Sequence, residues 1–141
     1  MKTKRTPILL VLAILVLLSA CAYPEPAGLT DEQLTAVAEN ILKAVDAGDF
    51  GQFSQDLSDQ MKAAFTEDQF NSLVSMLHTA SGHFVTVDKP TLTNNQGYSL
   101  YRFPATYDNE TVYVTLTFLT GGQKVEGFFL DSTNLRELPK Q

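Results

Sequence analysis

The sequence predicts an α+β domain in which N-terminal helices pack on a curved antiparallel sheet of about four strands. Three observations point there. Apolar residues recur at helical spacing between Leu34 and Leu77. After Gly82 the apolar period changes to two, most cleanly from Thr111 to Phe118. Clusters of Gly, Asn and Asp then divide the second half into short runs, as a meander requires. A bent sheet wrapped around a helix makes a cone with an open mouth.

The elements follow in order. Thr30-Asp31-Glu32-Gln33 is a capping box with acids in the first turn. Leu34, Val37, Ala38, Ile41, Leu42 and Val45 continue it as one helical face, and Gly48 is the expected C-cap. A short helical piece should carry Phe50, Phe53 and Leu57, with another turn through Met61 and Phe65. Thr66-Glu67-Asp68-Gln69 is a second capping box, opening a helix whose inner face is Phe70, Leu73, Val74 and Leu77 and whose end is Gly82. His83 to Asp88 reads as a strand running on past Pro90 to Thr93. Asn94-Asn95-Gln96-Gly97 turns the chain into a long strand, Tyr98 to Tyr107, where Pro104 predicts a bulge or bend. Val112, Val114, Leu116 and Phe118 alternate with Thr111, Tyr113, Thr115 and Thr117. Gly121-Gly122 reads as a two-residue hairpin into a last strand, Lys124 to Leu130.

The N-terminus carries a different signal. Lys2, Lys4 and Arg5 precede an unbroken apolar run of 11 residues, Ile8 to Leu18. A membrane-spanning helix needs roughly 20 residues, so the run has the length of a signal-peptide core instead. It closes on Leu18-Ser19-Ala20-Cys21, which resembles the lipobox of bacterial lipoproteins. That resemblance implies cleavage between Ala20 and Cys21 and acylation of Cys21 with chains such as palmitate. Two or three chains, at about 0.8 kcal/mol per buried methylene, hold a protein stably where one chain is marginal. Ala22 to Leu29, eight residues with two prolines and a glycine, then form an extended tether. It reaches at most about 28 Å. The expected organisation is a signal peptide over 1–20, the lipidated Cys and tether over 21–29, one α+β domain over 30–131 and a loose polar tail over 132–141. The expected location is a membrane, lipid-anchored, facing the cell surface or periplasm.

The whole chain of 141 residues has net charge −6. Loss of residues 1–20 leaves seven basic against 16 acidic residues, a charge of −9. A surface this acidic repels nucleic acid and anionic lipid, so membrane attachment falls to the lipid on Cys21. Cys21 is the only cysteine, so the core forms without an internal disulfide.

From Ala38 to Leu130 the chain resembles domain of unknown function 3887, a family in the nuclear transport factor two-like superfamily. The residues that carry this are Gly48-Asp49-Phe50 with Phe53 and Leu57, Met61-Lys62, Phe70, Gly82 and Gly127-Phe128-Phe129. The resemblance implies a cone-shaped α+β fold in a lipoprotein context, and it supplies no catalytic residue. Some members of that superfamily are isomerases or cyclases, and others are binding or dimerisation modules.

The residues themselves offer little chemistry. A metal centre needs three or four converging ligands, and His78 and His83, with no Cys and no clustered carboxylate, fall short of that and read as surface or edge residues. The strand-region acids Asp88, Asp108, Glu110, Glu126 and Asp131 fall mostly at turns and ends, poorly placed as buried bases. No Ser-His-Asp set, Walker loop or Gly-x-Gly-x-x-Gly occurs. No catalytic residue, metal or cofactor is therefore expected. The expected pocket is the mouth of the cone, lined by Tyr101, Phe103, Tyr107, Val114, Leu116, Phe118 and Phe129. The expected function is a non-catalytic binding or accessory module for a small apolar ligand or a protein partner. One alternative is a small isomerase or cyclase using a carboxylate and a Tyr in the cone. Another is a structural domain that forms a homodimer through the sheet.

Overall fold

The structure is a computed structural model and describes residues 28–139. The expected signal peptide, Cys21 and most of the expected tether lie outside the described residues. Four helices come first: α1 (Asp31–Ala47), α2 (Phe50–Ser54), α3 (Asp59–Ala64) and α4 (Glu67–Ala80). Five strands follow: β1 (Phe84–Val87), β2 (Thr91–Asn95), β3 (Tyr98–Tyr107), β4 (Thr111–Leu119) and β5 (Val125–Asp131), before a short α5 (Thr133–Glu137). The sheet is antiparallel, curved and open, in the order β1-β3-β4-β5, with β2 also paired to β3. The α+β class is as predicted. Among the described residues no helix is long and apolar enough to cross a membrane.

Both capping boxes form. Thr30 and Thr66 each accept a hydrogen bond from the backbone N–H three residues on, and the Gln33 and Gln69 side-chain oxygens accept the backbone N–H of the cap residue. Gly48 ends α1 in the left-handed region at φ 69°. Helix α1 buries Leu34, Ala38, Ile41, Leu42, Ala44 and Val45 on the sheet side. On β4 every apolar member of the alternation is buried: Val112, Val114, Leu116 and Phe118. At the centre Phe53 is fully buried, with ring centroids 4.9 Å from Phe70, 5.5 Å from Phe65 and 5.8 Å from Phe128. Helices α2 and α3 thus bring a Phe cluster that locks α4 onto the inner face of β5.

The strand count differs from the expected four because the run His83–Thr93 breaks. Val87 pairs with Ala105 and Thr91 with Arg102, and Asp88 to Pro90 lies between two separate ladders. Pro90 offers no N–H to a ladder, so the strand cannot continue through it. Pro104 introduces no bulge against β4, where it pairs in register with Tyr113. Its carbonyl accepts the Asp88 N–H, so its missing N–H faces the break between β1 and β2, where no donor is needed. The Gln96-Gly97 hairpin has φ 43° and 88°, both positive, as a type I′ turn requires.

Two further expectations are corrected. The connection between β4 and β5 is a longer loop than Gly121-Gly122, because β5 starts only at Val125. That residue is held from the other side: its N–H donates to the Asp56 carbonyl, and its carbonyl accepts from the Ser58 N–H. The register also shifts between Thr117 and Phe118. The tail after Asp131 is not loose up to Pro139. Ser132 caps α5, Leu135 packs on the core, and Arg136 grips the Asp131 carboxylate.

Candidate functional site

Six of the seven residues expected to line an open cone sit between the sheet and the helices. Phe103, Val114 and Leu116 are fully buried, and Phe118 and Tyr107 nearly so. Tyr101 is half-buried and packs edge-on against Phe118, centroids 5.8 Å apart. These side chains fill the interior, and the cavities found in the domain lie elsewhere. The expectation failed because aromatic rings at period two fill the concave face of a curved sheet as readily as they line it. Phe129 is misplaced in that list. It pairs with Thr115, on the face opposite Leu116 and Phe128, and is 64 % exposed. The register shift at the start of β5 decides which of the two adjacent Phe rings points inward.

Phe129 borders a different space. A groove of about 390 Å³ runs between α4 and β5, lined by Phe65, Gln69, Ser72, Leu73, Met76, Phe128, Phe129 and Leu130. Its floor is the half-buried Phe65, Leu73, Phe128 and Leu130, and its rim is Met76 and Phe129. Strand β5 is the sheet's last strand. Beyond the Leu57–Val125 bridge its free side pairs with no other strand among the described residues. A wider, more polar recess of about 730 Å³ adjoins on α4, between Asn71, Ser75, Thr79 and the Leu138-Pro139 segment.

A second cluster joins residues far apart in the sequence. Asp46, in the last turn of α1, lies between both histidines. Its Oδ1 is 3.1 Å from His78 Nε2 and 3.0 Å from His83 Nδ1, and it accepts the Phe84 N–H at 3.2 Å. The imidazole centroids are 4.6 Å apart. The clustered carboxylate that the sequence did not show next to the histidines is thus supplied by α1. A signal existed in the sequence: an acid in the last turn opposes the helix dipole, so Asp46 had to be there for another reason. Partial burial pushes the Asp46 carboxyl up. The Phe84 N–H and the two imidazoles outweigh this and hold it below the usual Asp range.

Beneath this cluster lies Tyr107. Its hydroxyl is buried with no hydrogen-bond partner among the described residues. Burial, then the charge of Asp46, drive its pKa well above the ordinary tyrosine value. Among the described residues no carboxylate hydrogen-bonds Tyr107, whose hydroxyl has no partner. Of the strand-region acids, Glu126 accepts from Ser58 Oγ at 2.7 Å and Asp108 accepts the His83 N–H at 2.9 Å. Gly82 stands in the left-handed region at φ +83°, and a Cβ there would meet the Asp108 Cβ at 2.8 Å. Glu110 is more elaborately held, by Ser81 Oγ at 2.6 Å, Ser132 Oγ at 2.7 Å and the Asn134 N–H at 3.1 Å.

Residues 38–128 match the family described as "Protein of unknown function (DUF3887)". None of the curated proteins compared with the chain matches it significantly.

Proposed function

The chain belongs to the DUF3887 family of proteins of unknown function, and from that premise we propose that it is a lipid-anchored, extracytoplasmic binding module, non-catalytic, whose ligand seats an apolar group in the groove between α4 and β5. The observation that carries this reading is the groove itself. It has an apolar floor of side chains already fixed by the core, an aromatic rim at Phe129, and the volume of a small-ligand site. The filled interior moves the ligand reading from the mouth of the cone to this outer groove. Helices followed by a curved sheet support a place in the nuclear transport factor two-like superfamily.

A leaderless chain beginning at Gly28 should bind a neutral apolar fluorophore such as Nile red at one saturable site. Burying a large apolar side chain is worth about 1.5–3 kcal/mol. Phe129→Asp and Met76→Glu should therefore each weaken binding about tenfold or more. Unchanged affinity in the double variant sinks the groove as the site. The unpaired side of β5 favours a second reading, a homodimer through that edge. Sedimentation of the same variants separates the two: a dimer of the parent that Phe129→Asp dissolves supports the second.

The anchor rests on Leu18-Ser19-Ala20-Cys21. Mass spectrometry of the membrane-derived protein should find an N-terminus at Cys21 carrying acyl chains, and Cys21→Ala should leave the mature form absent. An unmodified N-terminus at Met1 in the native membrane refutes it.

A further inference from the structure

We infer that Asp46, His78 and His83 form a binding site for a first-row divalent cation of the Zn²⁺ class. The three side chains come from the end of α1, the end of α4 and the residue before β1. Their ligand atoms all lie within 4.8 Å of one another, the one such grouping among the described residues. Two imidazole nitrogens and one carboxylate oxygen are the donor set that Zn²⁺, Co²⁺, Ni²⁺ and Cu²⁺ prefer over Mg²⁺ or Ca²⁺.

Two of the three ligand separations are close to what a cation needs, and the third, between the two ring nitrogens, is within 4.8 Å. With bonds of 2.0–2.1 Å, ligands of a tetrahedral Zn²⁺ stand about 3.3 Å apart. The Asp46–His78 and Asp46–His83 separations, 3.1 and 3.0 Å, are a few tenths of an ångström short of that. Without a cation, Asp46 Oδ1 accepts the Phe84 N–H and also faces His78 Nε2 and His83 Nδ1, each of which donates to it in the tautomer that carries a proton there. A carboxylate oxygen has two lone pairs, so with both rings donating it is overfilled. A cation that takes the place of the two ring protons removes the excess and leaves the Phe84 N–H to orient the carboxylate. The backbone of His83 is fixed as well, by the Asp108 carboxylate on its N–H.

Three protein ligands leave at least one coordination position to water or to a ligand group, as at zinc sites that act on or bind other molecules. The His83 side chain is 67 % exposed, so that position opens toward solvent. The buried Tyr107 hydroxyl, which feels the charge of Asp46, has no hydrogen-bond partner among the described residues. The cluster shares no lining residue with the α4–β5 groove, so this site stands or falls independently of the apolar one.

The test is calorimetric titration of Zn²⁺ into the metal-stripped full chain in a non-ionic detergent, with Co²⁺ absorption as a second readout. One equivalent should bind, with a Co²⁺ spectrum of low coordination number and a rise in Tm on loading. Loss of a mere outer partner of a metal costs about 10–100-fold in affinity. Asp46→Asn, His78→Ala and His83→Ala should therefore each weaken binding at least tenfold, and Cys21→Ser should leave it unchanged. His83→Ala removes an exposed ring, so it tests the site even if another variant fails to fold. Absence of saturable binding below about 1 mM, equal affinity in His83→Ala, or loss of binding in Cys21→Ser overturns the assignment.

Discussion

Phe53→Ala is expected to cost about 3–5 kcal/mol of folding free energy, the range for a large ring removed from a packed core. Phe53 is fully buried and its ring meets those of Phe50, Phe65, Phe70 and Phe128. The four neighbours come from three helical segments and a strand, so no single movement closes the cavity. Urea unfolding should show a lower midpoint at an unchanged slope. Phe129→Ala, from the adjacent ring's exposed partner on β5, should change stability by less than about 0.5 kcal/mol. Equal costs for the two would mean that the register of β5 is wrong.

Glu110→Ala is the second. The carboxylate joins the end of α4, through Ser81, to the start of α5, through Ser132 at its cap and the Asn134 N–H. Ser81 is fully buried and Ser132 is 4 % exposed, so neither hydroxyl finds water when its acceptor is deleted. A bond to a charged group is worth about 1.5–3 kcal/mol, and stranding a buried donor costs about 1–3, so a loss of about 3 kcal/mol is expected. Glu110→Gln keeps the shape and isolates the charge. Partial burial pushes the Glu110 carboxyl up. The Ser81 and Ser132 hydroxyls and the Asn134 and Thr133 N–H groups outweigh it and hold the group below the usual Glu range. The depressed folded value fixes the sign. The charge contributes fully above the unfolded pKa of about 4.3, and the contribution is lost as pH falls through the folded value. The stability gap between wild type and Glu110→Gln should be constant near neutrality and shrink as the solution is acidified below about pH 5. A gap that widens in acid contradicts this network.

The helices were legible because their signals are local. A capping box and an i, i+4 stripe each fit within a few residues, and Thr30 to Gly48 formed as read. Strand β4 was legible for the same reason, since alternation needs no partner to be seen. What failed depends on residues distant in the chain. The start of β5 is set by Asp56 and Ser58, and that choice turns Phe128 inward and Phe129 outward. The order of the tail comes from Glu110, a residue on the far side of two strands. The expected pocket failed because ring size and sheet curvature together decide whether a concave face is full, and neither is visible in a period. Asp46 meets His78 and His83 across separations of 32 and 37 residues. Only its unfavourable position at the helix end marked it in the sequence.

The parallel bridge between Leu57 and Val125 sets the order in which the domain can be completed. It closes a loop spanning most of the fold, and β5 has no firm starting point until both ends of that bridge exist. A chain emerging N-terminus first therefore cannot seal its core while residues beyond Val125 are still to come, since Phe128 is not there to cover Phe53.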